Sequence, residues 1–148
     1  MKAFVHDRYG PPSVLRLEDR PKPAPGPGEV VVRVAACALN ASDWELLTAR
    51  PAYSRIYGRL RPKHPVLGSD VAGTIEAAGD GVTAFRPGDR VFGDLFDHWG
   101  GFAEYVAAPA SLWVPVPAGL GLPEAAALPQ SGVIALQALR ADARPRDR

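Results

Sequence analysis

The six glycines of residues 64–93 constrain the fold more than any other feature of this chain. The stretch reads HPVLGSDVAGTIEAAGDGVTAFRPGDRVFG, and its β-prone runs cover residues 71–78 and 90–92. Asp80-Gly81 and Pro87-Gly88 separate these runs. Asp-Gly between apolar runs favours a hairpin, and Pro-Gly favours a type II turn. The stretch therefore predicts a compact β core whose backbone bends sharply at fixed points.

Length and charge narrow the classes of function. The 148 residues suffice for one domain and the start of a second. With 17 basic and 16 acidic residues, the chain has no electrostatic bias towards nucleic acid or an anionic membrane. No apolar run reaches the roughly 18–20 residues of a spanning helix, and the N-terminus lacks the apolar core of a signal peptide. We expect a cytoplasmic protein that binds neither nucleic acid nor membrane.

Further strands are predicted on both sides of this core. Residues 1–6 and 15–18 favour two short strands, and the prolines of residues 20–28 favour an extended surface connection. The nearly continuous apolar run of residues 29–39 predicts a central strand that is buried on both faces. Two more strands are predicted, over residues 102–108 and 111–116.

Helices are predicted in two places. The sequence Asn40-Ala41-Ser42-Asp43 is typical of a helix start, with Ser42 or Asp43 as the cap and Pro51 ending the helix. The side chains expected to face inward are Trp44, Leu46 and Leu47. From Pro123 the chain changes character, with a short helix and then a second one over residues 131–141.

The single cysteine and the three histidines are expected to have ordinary environments. Cys37 lies in an apolar run and is interpreted as a buried core residue rather than a nucleophile. His6, His64 and His98 are interpreted as surface or locally bonded side chains rather than metal ligands or catalysts.

Five stretches, in this order, cover nearly the whole chain and together resemble a known family. They are MKAFVHDRYGPPSVLRLED, PGEVVVRVAACALNASDW, PVLGSDVAGTIEAAGDGVTAFRPGDRVFG, GGFAEYVAAP and LPEAAALPQSGVIALQAL. The chain resembles the N-terminal GroES-like catalytic domain of the medium-chain dehydrogenase/reductase superfamily, and most of all its zinc-free quinone oxidoreductase-like branch.

The resemblance implies a mainly β fold, a partly open GroES-like barrel with a few short helices. Residues 1–122 would form this catalytic domain, and residues 123–148 would be junction helices leading towards a Rossmann domain. The chain has no G-x-G-x-x-G motif for dinucleotide phosphates, so that domain is not encoded here. The chain is therefore either part of a longer enzyme, inactive alone, or a stand-alone domain.

The resemblance also bears on zinc. Zinc-dependent relatives place a cysteine before an [ST]-D pair and a histidine in a G-H-E triplet. In this sequence those places read Asn40-Ala41-Ser42-Asp43 and Gly68-Ser69-Asp70. Amide and hydroxyl groups bind zinc poorly, so we expect no zinc.

Carbonyl reduction without a metal still needs a held hydride donor and hydrogen-bond donors for the developing oxyanion. By resemblance the cofactor is NADP(H), and the cofactor-binding candidates are Asn40, Asp43, Ser131 and Val133. The catalytic candidates are Asn40, Ser42, Tyr53 and Tyr57. Each has a plainer interpretation, namely helix capping for the residues of the helix start and loop packing for the tyrosines.

Three functions remain open at this point. The first is the substrate-side domain of an NAD(P)H-dependent, zinc-independent oxidoreductase that reduces quinones, enones or related small carbonyl compounds. The second is a GroES-like binding or oligomerisation module without catalysis, in which the apolar face of residues 133–139 supports a homodimer. The third is a zinc alcohol dehydrogenase, which Asn40 and Ser69 disfavour.

Overall fold

The computed structural model describes residues 1–58 and 60–142, and it leaves out the side chains of residues 55–57 and 142. Five antiparallel strands form an open sheet in the order β6-β3-β4-β5-β7. They are β3 (Glu29–Ala38), β4 (Asp70–Ala78), β5 (Arg90–Asp94), β6 (Tyr105–Pro109) and β7 (Trp113–Pro115). The predicted mainly β, partly open fold is confirmed.

A separate two-stranded sheet, three α-helices and short 3₁₀ helices make up the rest of the fold among the described residues. Strands β1 (Lys2–Val5) and β2 (Arg16–Asp19) pair with each other, and Ala3 forms an isolated bridge to Ala103. The helices are α1 (Ala41–Thr48), α2 (Leu122–Ala126) and α3 (Pro129–Asp142). None of the helices described is long and apolar enough to cross a membrane.

The main core lies on one face of the five-stranded sheet. Val30 and Val32 of β3 pack with Val71 and Ile75 of β4, and all four are almost fully buried. The apolar run predicted as the central strand is an interior strand, because β3 pairs with both β4 and β6. It is not buried on both faces as predicted, because Arg33 and Ala35 are exposed.

Helix α2 packs on the sheet and sets where α3 begins. Ala125 and Ala126 are buried against Ala72 of β4, which has no bulky side chain to hold the helix away. Only residues 127 and 128 separate α2 from α3. The first turn of α3 consequently lies at the end of the sheet where β4 begins, beside Asp70.

The turn after β4 differs from the predicted hairpin. Strands β4 and β5 do pair, but residues 79–89 connect them instead of a tight Asp-Gly turn. Gly28 donates its N–H to the Asp80 carbonyl, and Gly79 donates to the Glu29 carbonyl, so the start of this loop is bonded to the start of β3. Gly81 and Gly88 are still needed in this loop, because they have φ of 80° and 96°, a backbone conformation that favours glycine.

One predicted environment was wrong. Trp44 was expected to face inward but is 54% exposed, because Leu46 and Leu47 cover the core on that helix. His6 was expected to be a surface or locally bonded side chain; it is 1% exposed, and its Nδ1 lies 3.1 Å from the Pro65 carbonyl, so it is locally bonded and buried. The residue after a short strand still points inward when a neighbouring segment covers it.

Candidate functional site

The N-terminus of α1 is held by one carboxylate. Asn40, rather than the predicted Ser42 or Asp43, occupies the N-cap position with extended φ and ψ. Asp43, three residues later, accepts the Asn40 backbone N–H at 2.8 Å and the Gly68 backbone N–H at 2.9 Å. Asp43 therefore uses its two carboxylate oxygens on two backbone donors, one in its own helix and one in the turn before β4.

That turn needs glycine. Gly68 has φ of +94°, and a Cβ there would lie 2.6 Å from Phe102 Cδ1 and 2.9 Å from Cys37 Sγ. The segment around Gly101 lies directly against this turn, since Gly101 donates its N–H to the Gly68 carbonyl at 2.9 Å. The bend brings the Gly68 N–H to Asp43 and places Ser69 and Asp70 at the start of β4.

A second carboxylate joins the sheet to α3. Asp70 accepts the Gln130 backbone N–H at 3.0 Å, a favourable place for a negative charge in the first turn of a helix. Ser42 donates its hydroxyl to Gln130 Oε1 at 3.2 Å. Helix α1, strand β4 and helix α3 therefore meet through Ser42, Asp70 and Gln130 at one end of the sheet.

Burial sets the ionisation of this region. It raises the pKa of Asp43 and of Asp70, against the hydrogen bonds that lower it, and the nearby charge of Asp94 raises both further. Burial, followed by the charges of Asp43 and Asp70, raises the pKa of Cys37 to about 12. A thiol with that pKa stays protonated at neutral pH, which supports the interpretation of Cys37 as a packing residue.

Three buried polar atoms lie at the same place without a hydrogen bond of good geometry among the described residues: Asn40 Nδ2, Ser69 Oγ and Asp70 Oδ1. The Asn40 amide nevertheless helps to lower the pKa of Asp70, so the two side chains lie close together. Within residues 1–58 and 60–142, no group of three or more His, Cys, Asp or Glu side chains is arranged to hold a metal ion.

An apolar cavity of about 340 Å³ opens beside the α1 N-terminus. Asn40 and Asp43 are its polar lining residues. The apolar residues that line it are Pro12, Leu15, Leu39, Trp44, Leu47, Leu67 and Phe102. A small carbonyl compound can be enclosed here with few polar partners, as is typical of small-molecule sites.

The structure brings together part of the predicted site. Asn40, Ser42 and Asp43 lie at the α1 N-terminus, and Ser131 follows Gln130 in the first turn of α3, where it is exposed. Val133 is 51% exposed and lines a different cavity, of about 370 Å³, between α3 and strands β5 and β7.

The two tyrosines are not placed with these residues. Tyr53 is 60% exposed and donates its hydroxyl to Glu45 Oε2 at 2.8 Å, a bond that raises the pKa of the phenol. It makes no hydrogen bond to Asn40 or Ser42 among the described contacts. The side chain of Tyr57 lies outside the described residues.

Asp70 was absent from the predicted site, and Gln130 was not among its catalytic or cofactor-binding candidates. Asp70 is fully buried, and Gln130 bonds to both Asp70 and Ser42. The signals were Asp70, an acid at the start of a strand whose next two residues are apolar, and Pro129, which is compatible with the first position of a helix. Only the fold shows that these two points are adjacent.

Comparison with known proteins agrees with this architecture. Residues 26–118 match the family model described as the alcohol dehydrogenase GroES-like domain. The quinone oxidoreductase of Rattus norvegicus is 38% identical over 148 residues, covering 99% of this chain and 43% of the relative.

Solved structures extend the likeness to three dimensions. The quinone oxidoreductase from Coxiella burnetii matches 95% of this chain and 44% of its own, with a TM-score of 0.86 and 33% identity. A mycobacterial protein complexed with NADPH matches 100% of this chain and 43% of its own, with a TM-score of 0.79 and 34% identity. The chain spans less than half the length of each of these proteins. The chain belongs to the family of alcohol dehydrogenase GroES-like domains, within the medium-chain dehydrogenase/reductase superfamily.

Proposed function

We propose that this chain forms the substrate-side part of an NAD(P)H-dependent oxidoreductase that reduces quinones, enones or related carbonyl compounds without zinc. The observation that carries the proposal is the cavity at the α1 N-terminus, where Asn40 and Asp43 are the polar groups in an apolar enclosure. The relatives named as quinone oxidoreductases support the substrate class.

In this proposal each residue of the junction has a distinct part. Asp43, bonded to two backbone N–H groups, fixes the start of α1 and therefore the position of Asn40. Asn40 is the candidate amide donor to the substrate oxygen, and Ser42 is a hydroxyl donor that now bonds to Gln130. Residues 1–122 would supply the substrate site, and residues 123–148 would lead towards the cofactor.

The residues present fit one end of a nicotinamide cofactor. The exposed Ser131 hydroxyl in the first turn of α3 and the Asn40 amide can hydrogen-bond to the carboxamide group of a nicotinamide ring. When bound, the cofactor supplies the hydride, and few protein side chains need to react. The chain has no G-x-G-x-x-G turn for the phosphates, so it offers only a partial site.

The donor chemistry also supports the zinc-independent form of the proposal. Asn40 and Ser69 stand where the zinc-dependent pattern has cysteine and histidine. An amide and a hydroxyl are poor zinc ligands compared with thiolate and imidazole.

The test compares the 148-residue chain with the longest natural protein that contains it. We expect the longer protein to oxidise NADPH in the presence of a naphthoquinone and to contain less than one zinc per chain by metal analysis. The 148-residue chain alone should show neither turnover nor sub-micromolar NADPH binding by fluorescence titration. An inactive longer protein would refute the activity, and one tightly bound zinc per chain would restore the alcohol dehydrogenase alternative.

A further inference from the structure

Two cavities lie along α1, and both are lined by Trp44. The first is the cavity of about 340 Å³ beside Asn40. The second, of about 330 Å³, is lined by Gly10, Pro11, Thr48 and Arg50 as well as Trp44. Because the neighbouring residues Pro11 and Pro12 line the second and the first cavity, both belong to one groove between α1 and residues 10–15. We call it the α1 groove.

The groove follows the axis of the helix. Asn40, Trp44 and Thr48 recur at intervals of four residues, so they lie along one side of α1. At a rise of about 1.5 Å per residue, Asn40 and Thr48 are roughly 12 Å apart along the helix axis, and Arg50 follows just after the end of the helix. That length suits a ring system carrying a short chain rather than a small carbonyl compound alone.

The half of the groove near Asn40 is apolar and partly open. Trp44 is 54% exposed and Leu39 is 80% exposed, although both line the cavity. Large apolar side chains left open to solvent in a concave surface are typical of a ligand contact. Trp44 lines both halves of the groove, and its indole can stack on a flat ring.

The other half ends in a cation. Arg50 is exposed and follows Ala49, whose φ of 53° ends α1, and its backbone N–H bonds to the Glu45 carbonyl at 3.2 Å. The Thr48 hydroxyl already donates to the Trp44 carbonyl at 2.7 Å, so its proton is not free for a ligand. The Arg50 guanidinium is therefore the donor that this end of the groove offers to an anion.

We propose that the α1 groove binds a substrate with two parts, an apolar ring at the Asn40 end and a carboxylate at Arg50. Asn40 and Asp43 are the polar residues at the other end, and both Asp43 oxygens already accept backbone N–H groups, so the charge of Arg50 selects a carboxylate at its own end of the groove. The inference rests on the proposed function, which makes the Asn40 end the reacting end. It narrows the substrate class to quinones or enones that carry a carboxylate chain.

A titration without cofactor tests the groove. Calorimetry of the 148-residue chain would compare ω-naphthylhexanoic acid with its primary amide, which has the same shape and no charge. We expect the acid to bind about three- to tenfold more tightly at low salt, the range of an exposed ion pair with arginine. The preference should shrink as salt is added.

Variants locate the effect. Arg50→Gln should abolish the preference for the acid, Arg50→Lys should keep most of it, and Arg86→Gln, an exposed arginine on the 79–89 loop, should leave it unchanged. Trp44→Ala should weaken both probes by about tenfold and keep their ratio. Circular dichroism melting would verify that each variant is folded.

The outcomes separate this inference from the proposed activity. The proposed carboxylate site would be refuted by any of three results. These are equal binding of the two probes, no binding of either probe, and a preference for the acid that survives Arg50→Gln. Because no NADPH is present, these results do not depend on turnover. A failed NADPH assay with intact probe binding would instead count against the activity.

Discussion

At the scale of single residues, Asp70 couples the junction to pH. Its side chain is fully buried, and burial raises its pKa above the value of about 4 in an unfolded chain. The folded state therefore holds this proton to higher pH than the unfolded state. The resulting stability is fully present below the unfolded pKa and is lost as pH rises through the folded pKa.

Asp70→Asn tests this linkage. Asparagine has the shape of the protonated acid and can still accept the Gln130 N–H through its oxygen. We expect the melting temperature at pH 7 to rise by roughly 2–4 °C, about 1 kcal/mol for a domain of this size, and the gain to vanish near pH 3. Asp80→Asn, at an exposed turn, is the control. A gain that is equal at both pH values would contradict the linkage.

At the scale of elements, the turn at residues 67–69 connects α1 to the sheet. Gly68→Ala meets two costs: a left-handed φ, and a Cβ 2.7 Å from the Phe102 backbone nitrogen. Gly81→Ala is a matched control, because Gly81 has φ of +80° and nothing within 4 Å of an added Cβ. We expect Gly81→Ala to cost about 1 kcal/mol of unfolding free energy and Gly68→Ala at least twice that, measured by urea denaturation. Equal losses would show that the Phe102 contact relaxes freely.

The elements themselves were mostly predictable from the sequence, while their contacts were not. Apolar runs and proline or glycine breaks located β3, β4 and α3, because these signals are local. The predicted α1 cap was wrong, since Asn40, Ser42 and Asp43 are all good caps; the bond from the Asn40 N–H to Asp43 is local, but the bond from the Gly68 N–H to Asp43 joins points 25 residues apart. The pairing of Asp70 with Gln130 joins points 60 residues apart, which no local pattern encodes.

At the scale of the whole molecule, α3 leaves an apolar surface uncovered. Ile134 is 60% exposed, Leu136 is 48% exposed and Leu139 is 71% exposed. Val133 and Ile134 also line the cavity of about 370 Å³ that runs to Val114 of β7, so the exposed helix continues into a concave part of the sheet edge. Ile134 and Leu136 are two residues apart and therefore lie on different sides of the helix, so apolar side chains are exposed around much of α3. Exposed apolar surface of this extent favours association with another protein surface.

We therefore expect the 148-residue chain to self-associate as its concentration rises. Sedimentation velocity at several concentrations would measure this. Ile134→Lys with Leu136→Lys should move the chain towards monomer, because two charges on this surface oppose its burial. Leu60→Lys is the matched control, since Leu60 is 91% exposed but lies outside α3. A discrete dimer would favour the binding-module alternative, and a broad range of sizes would favour a surface that another part of a longer protein covers. A chain that stays monomeric at all concentrations would show that this apolar surface tolerates water without a partner.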